Sequence, residues 1–274
     1  MLSCHQIDDI LKTKRNKMKK IVALVAVLFS VVVPVQAQAN TKSLVIIDSY
    51  FQSSIATNPI NSLGAPCAQS KPVKNASASS PYNHGTAMYA VAKLQNPALP
   101  IIPICASSAQ SDVFPDQLIA SLNWVKANKD KVAAVSVSLT FNKTRTECMP
   151  ANPVKKLESA KDAEIRALIK SLSDIGIPVF ASAGNDTNKS YSYPGCITDT
   201  YSVVHASAVA KAAKVNWSNV TNTDYLVALS TDDSKLNYNT SFGVIAETSS
   251  SSTAAAAAMW VTNKVAFGFI YPVA

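Results

Sequence analysis

The chain has 274 residues, 48% of them hydrophobic, 15% charged and 7% aromatic, a balance that excludes intrinsic disorder and can fill one large core. The formal charge is +8, but residues 1–39 hold six basic and two acidic residues, leaving 19 basic against 15 acidic, or +4. With Arg145 and Arg166 the only arginines beyond that segment, a nucleic-acid surface is excluded.

The first element is an export signal. Lys12 to Lys20 is a basic stretch, Ile21–Val33 an apolar run, Pro34 breaks it, and Ala37-Gln38-Ala39 gives a small-residue cleavage site. The apolar run is too short for a membrane span. Residues 1–39 therefore read as a signal peptide, with Met18 an alternative start, and 40–274 as an exported chain, periplasmic or secreted, without a membrane span. Cys67, Cys105, Cys148 and Cys196 remain beyond it, which suggests two disulfides with three pairings open. There is no CxxC or Cys/His cluster, so no metal site and no cofactor are expected.

Strands and helices then alternate. The apolar runs Lys42–Ile47, Leu99–Cys105, Val132–Leu139 and Ile177–Ala183 predict buried strands, with Tyr201–Val209 and Tyr225–Leu229 as later ones. Helices are predicted over His84–Leu94, around Leu118, Leu122 and Val125, and around Ile165, Leu168, Ile169 and Leu172, the last ending at Gly176. The Ala-rich Ser249–Lys264 is expected to be a helix capped by one of its serines, and residues 68–81 a polar loop. This order predicts a single α/β domain with a mainly parallel β-sheet and helices on both faces.

In such sheets chemistry belongs at the carboxyl ends of strands and the adjoining helix N-termini. Asp48 follows the first strand, His84 opens a helix, Asn185 follows Ile177–Ala183, and a serine cluster opens the Ala-rich helix. Asp, His and Ser are the parts of a nucleophilic triad, and an amide can serve an oxyanion. Glycine is scarce, seven in all, yet Gly85 and Gly184 flank His84 and Asn185.

These residues carry a resemblance. Asp48 in LVIIDSY, His84 in NHGTAMYAVA, Asn185 in VFASAGND and the serines of ETSSSSTAAAAA resemble, in that order, the subtilisin-like serine peptidases (subtilases), over about Lys42 to Trp260. VSVSLT resembles the family's substrate-binding strand, YPGC the loop beyond the oxyanion Asn, and WSN a later strand. The resemblance implies an exported serine endopeptidase acting on a protein or peptide. Asp48, His84 and Ser250 would be catalytic, Asn185 would stand at the oxyanion hole, and Ser138, Leu139 and Thr140 would line the substrate site. Cys67 lies in the loop leading to the His84 helix and Cys105 ends the strand after that helix, while Cys148 and Cys196 lie in loops after strands expected to be adjacent, so we expect the pairs Cys67–Cys105 and Cys148–Cys196.

The chain departs from the family pattern in several places. Tyr50 and Thr140 stand where the family has glycine, and the nucleophile segment is all serine, threonine and alanine. Ser250 aligns Thr253, Ala254 and Ala257-Ala258 best, with Ser249 and Ser252 as alternative registers. No propeptide domain is recognised between residue 39 and Asp48. These departures leave a second reading, a catalytically impaired subtilase-fold binding protein.

Overall fold

A computed structural model describes residues 42–67, 81–106, 115–139, 141–143, 160–184, 191–197, 199–204, 225–228, 237–241, 243–246, 248–262 and 270–271, all within the unit Asn40–Ala274. Eight strands form one sheet: β1 (Ser43–Asp48), β2 (Ile60–Asn61), β3 (Ile101–Cys105), β4 (Val132–Val137), β6 (Val179–Ser182), β8 (Thr200–Val204), β9 (Tyr225–Ala228) and β12 (Ile270–Tyr271). Their order is β12-β9-β8-β6-β4-β1-β3-β2, parallel throughout except the edge pair β12–β9. Two antiparallel ribbons stand apart from it, β5 (Phe141–Lys143) with β7 (Tyr191–Tyr193), and β10 (Asn237–Thr240) with β11 (Gly243–Ala246). The helices are α1 (Pro81–Gln95), α2 (Pro115–Ala127), α3 (Ala160–Asp174) and α4 (Ser249–Val261). None of them is long and apolar enough to cross a membrane.

The unbroken apolar run of β1 follows from burial on both faces, since helices cover each side of a parallel sheet. Leu44, Ile46, Ala134, Phe180 and Val203 pack against α1 and α4. The alternate residues Val45, Ile47, Val135, Val137, Val179 and Ala181 pack against α2 and α3. The i, i+4, i+7 spacing read for α2 and α3 marks their buried stripes, Leu118, Leu122 and Val125 on one and Ile165, Leu168, Ile169 and Leu172 on the other. Helix α3 stops as expected at Gly176, whose φ of +78° suits glycine. The Ile177 N–H bonds the Leu172 carbonyl at 2.9 Å and the Gly176 N–H bonds Ser173 at 2.9 Å, the paired bonds that close a helix end.

Helix α4 is buried all round. Every residue from Ser249 to Ala258 is inaccessible or nearly so, and at its far end Trp260 packs on Phe180 and Tyr201 with ring centroids 6.0 and 5.7 Å away. Alanine lets a helix in that position approach both α1 and the sheet closely. Its cap differs from the one expected. Thr248, in extended geometry, is the N-cap, accepting from the Ser251 N–H, while the Ser251 hydroxyl accepts from the Thr248 N–H. The serines from Ser249 onward already have helical backbone, so none can take the half-extended cap position.

Residue-level differences are small. The first helix begins at Pro81, so the predicted loop reaches one residue too far, and the third strand begins at Ile101. The remainder of that loop, the strand ends past Val204 and Ala228, WSN and the end of the Ala-rich helix beyond Thr262 lie outside the described residues.

Cys67 and Cys105 are bridged, their Cα atoms 6.2 Å apart, closing a segment of 38 residues. Cys196 is also disulfide-bonded, and Cys148 lies outside the described residues. Replacing Cys67 and Cys105 together by serine is expected to cost about 2–4 kcal/mol, chiefly by freeing the unfolded chain. Denaturant unfolding under non-reducing conditions measures it, and a cost below about 0.5 kcal/mol would contradict the loop-closure account.

Candidate active site

The chain leaves β1 to form β3 on one side, then crosses to β4 on the other side of β1. The carboxyl ends of β1 and β4 therefore flank the point where the winding reverses, the place such sheets reserve for ligands. Asp48 ends β1, Ser138 follows β4 and Ser182 ends β6. His84 sits in the first turn of α1 and Ser250 in the first turn of α4, and these two helices pack together.

Asp48 is wholly buried, and its Oδ1 accepts the Ser49 N–H at 2.6 Å, the Ser49 hydroxyl at 3.2 Å and His84 Nδ1 at 2.8 Å. A carboxylate can only accept, so the proton of a neutral His84 resides on Nδ1 and its Nε2 carries a lone pair. The imidazole is about a quarter exposed. Burial pulls the His84 pKa down, but the charge of Asp48 and its hydrogen bond together outweigh that and hold it above 6.5.

The HGT sequence is explained by what surrounds it. A Cβ on Gly85 would come within 2.5 Å of the Tyr50 carbonyl oxygen and 3.2 Å of the Asp48 Cβ, so only glycine lets α1 approach the end of β1 this closely. Thr86 is buried and accepts the Gln52 N–H at 2.9 Å, pinning the segment that follows Asp48. Sequence reading singled out His84 and Gly85; Thr86 and Ser49 gain their meaning only from these contacts.

Of the four serines opening α4, Ser250 alone retains accessible surface, at 7% against 0% for Ser249, Ser251 and Ser252. Its hydroxyl donates to the Ser138 carbonyl at 3.4 Å, and the Ser138 hydroxyl donates to the Ser250 carbonyl at 3.0 Å. Among the described residues no hydrogen bond joins His84 to Ser250. None engages the Ser250 N–H either, one of the donors a helix start leaves without an intrahelical partner. Ser249 instead bonds Ser182, hydroxyl to hydroxyl, at 2.5 Å. Ser138 is buried and Leu139 half-buried beside this end of the sheet, whereas Asn185 and Thr140 lie outside the described residues.

Among the described residues no group of three His, Cys, Asp or Glu side chains could hold a metal ion. A cavity of about 480 Å³, lined by Lys42, Lys129, Ile177 and Trp260, opens at the opposite, amino ends of the strands and does not include the Asp48–His84 pair.

No family model and no curated protein sequence matches the chain. Solved structures do. The prenylagaramide maturation protease PagA superposes with a TM-score of 0.53 at 14% identity, covering 82% of this chain and 77% of that one. A lanthipeptide protease gives 0.52 at 14% over 80% and 72%. The epidermin leader peptide processing serine protease EpiP of Staphylococcus aureus gives 0.52 at 13% over 82% and 65%. At such identities the likeness speaks for architecture alone: the mainly parallel sheet with its four described helices is the fold of subtilisin-like proteases.

Proposed function

We propose that the chain is an exported serine endopeptidase whose domain, residues 40–274, follows a removable signal peptide, residues 1–39. The observation that carries this reading is the buried Asp48 carboxylate 2.8 Å from His84 Nδ1, on helix α1 next to the serine-led α4. In the reaction, the Ser250 hydroxyl turns from the Ser138 carbonyl towards His84. Its oxygen bonds to the peptide carbonyl carbon as its proton passes to His84 Nε2. His84 then returns that proton to the leaving amine as the C–N bond breaks, and a water repeats the sequence to release the acyl group. Asp48 holds the imidazole in the required tautomer and stabilises its cation. The Ser250 N–H and the Asn185 amide receive the oxyanion, and Ser138, Leu139 and Thr140 line the substrate. No cofactor is invoked.

The hydroxyl of Ser250 resting on Ser138 favours the second reading, an impaired binding protein of the same fold, in which that turn does not occur. A fluorophosphonate probe separates the two. Labelling of the folded protein at Ser250, located by peptide mapping, supports the peptidase, and a folded but unlabelled protein overturns it.

The pH dependence has a definite sign. Only neutral His84 accepts a proton, and Asp48 raises its pKa above 6.5. kcat/KM should therefore rise with pH along a limb whose midpoint lies above 6.5, and a midpoint below that value contradicts the role given to Asp48.

A further inference from the structure

From the contacts of its hydroxyl we infer that Ser182 is a positioning residue, which locks the start of α4 to the turn after β6 and so sets the geometry of the oxyanion site. This rests on the peptidase reading above. Ser182 and Ser249 are both inaccessible, and their hydroxyl oxygens lie 2.5 Å apart, joining residues 67 apart in sequence. The same Ser182 oxygen accepts the Gly184 N–H at 3.3 Å. Gly184 itself has a φ of +94°, a left-handed conformation that suits glycine. One hydroxyl thus ties the start of α4 to the residues that follow β6. On the helix side it holds Ser249, whose peptide link to Ser250 carries the Ser250 N–H, unengaged among the described residues. On the strand side it holds the Gly184 N–H, two residues beyond the end of β6.

An alanine at position 182 would have none of these bonds to offer and would leave the Gly184 N–H and the Ser249 hydroxyl without that buried partner. Hydrogen bonds aimed at a developing oxyanion lose value steeply when their donors are displaced. Nothing in this bridge touches His84 or Asp48, so proton transfer to the imidazole is untouched.

The test uses the purified exported chain, a peptide ester substrate and the fluorophosphonate probe. Ser182→Ala and Ser249→Ala are each expected to lower kcat about 10-fold with KM and the midpoint of the acid limb unchanged. The double variant should lose no more than Ser182→Ala alone, because that variant already breaks the bridge to Ser249. Ser249→Thr, which keeps the hydroxyl, should stay within about 2-fold of the parent. A full parental kcat in folded Ser182→Ala overturns the inference, as do independent losses in the double variant. Complete loss of labelling in Ser249→Ala and Ser249→Thr overturns it differently, making Ser249 the nucleophile. If the parent itself is folded and unlabelled, the peptidase reading fails, and the inference with it. Should Ser182→Ala not fold, the Ser249 pair of variants decides alone, alanine losing and threonine keeping the rate.

Discussion

Ser250→Ala is expected to abolish fluorophosphonate labelling and to lower kcat by on the order of 10⁶, a magnitude that comes from subtilisin and is carried over here. Successive residues at a helix start point about 100° apart, so the neighbouring serines cannot replace one another. The Ser249 hydroxyl is committed to Ser182, the Ser251 hydroxyl to the cap with Thr248, and Ser252 is inaccessible. The variant loses one oxygen and keeps its backbone carbonyl, so the bond from Ser138 to that carbonyl persists and the helix start is retained. Unchanged circular dichroism and thermal unfolding, together with lost turnover, would confirm the expectation. Full activity in Ser250→Ala with loss in Ser249→Ala would move the nucleophile by one residue and leave the Asp48–His84 pair in place.

Asp48→Asn should lower kcat by about 10⁴, the loss measured for the corresponding change in a serine protease of another fold. An amide facing Nδ1 favours the tautomer with the proton on Nε2, which then cannot accept from serine. The same change removes the charge and the charge-assisted bond that raise the His84 pKa and leaves burial, which lowers it. The imidazole resonances should accordingly titrate at a lower pH than in the parent. Near-parental turnover in the folded variant, or an unmoved titration, would remove Asp48 from the proposed mechanism.

What could be read in advance depended on how strongly each residue departs from its background. Asp48, His84 and Gly85 stand out because histidine and glycine are rare here, and because the glycine permits a backbone approach that no other residue allows. The stripes of α2 and α3 repeat with helical period, so both helices were legible as helices. Helix α4 has no stripe, being buried on every side, and only its alanine content marked it. The ribbons β5–β7 and β10–β11 went unpredicted, since strands of three or four residues are too short to show a period. Ser182 was invisible for a related reason. In VFAS it ends an apolar strand as any small residue would, and its meaning lies in two partners, one of them 67 residues away.

The encirclement of α4 has a consequence for how this protein can vary. An amphipathic helix such as α3 offers solvent one face, and substitutions there are absorbed with a rhythm of three to four residues. Along Ser249–Ala258 there is no such lenient face, because α1 lies on one side and the sheet on the other. Added methylenes on Ala254–Ala258 push against backbone or packed side chains, at a typical cost of about 1–3 kcal/mol. A monotonous stretch of alanine and serine, which looks like low information when written out, is therefore among the least permissive parts of the chain. The serine proposed as nucleophile is mounted at the end of that rod, so its position is held by a helix that cannot be exchanged residue by residue without moving it.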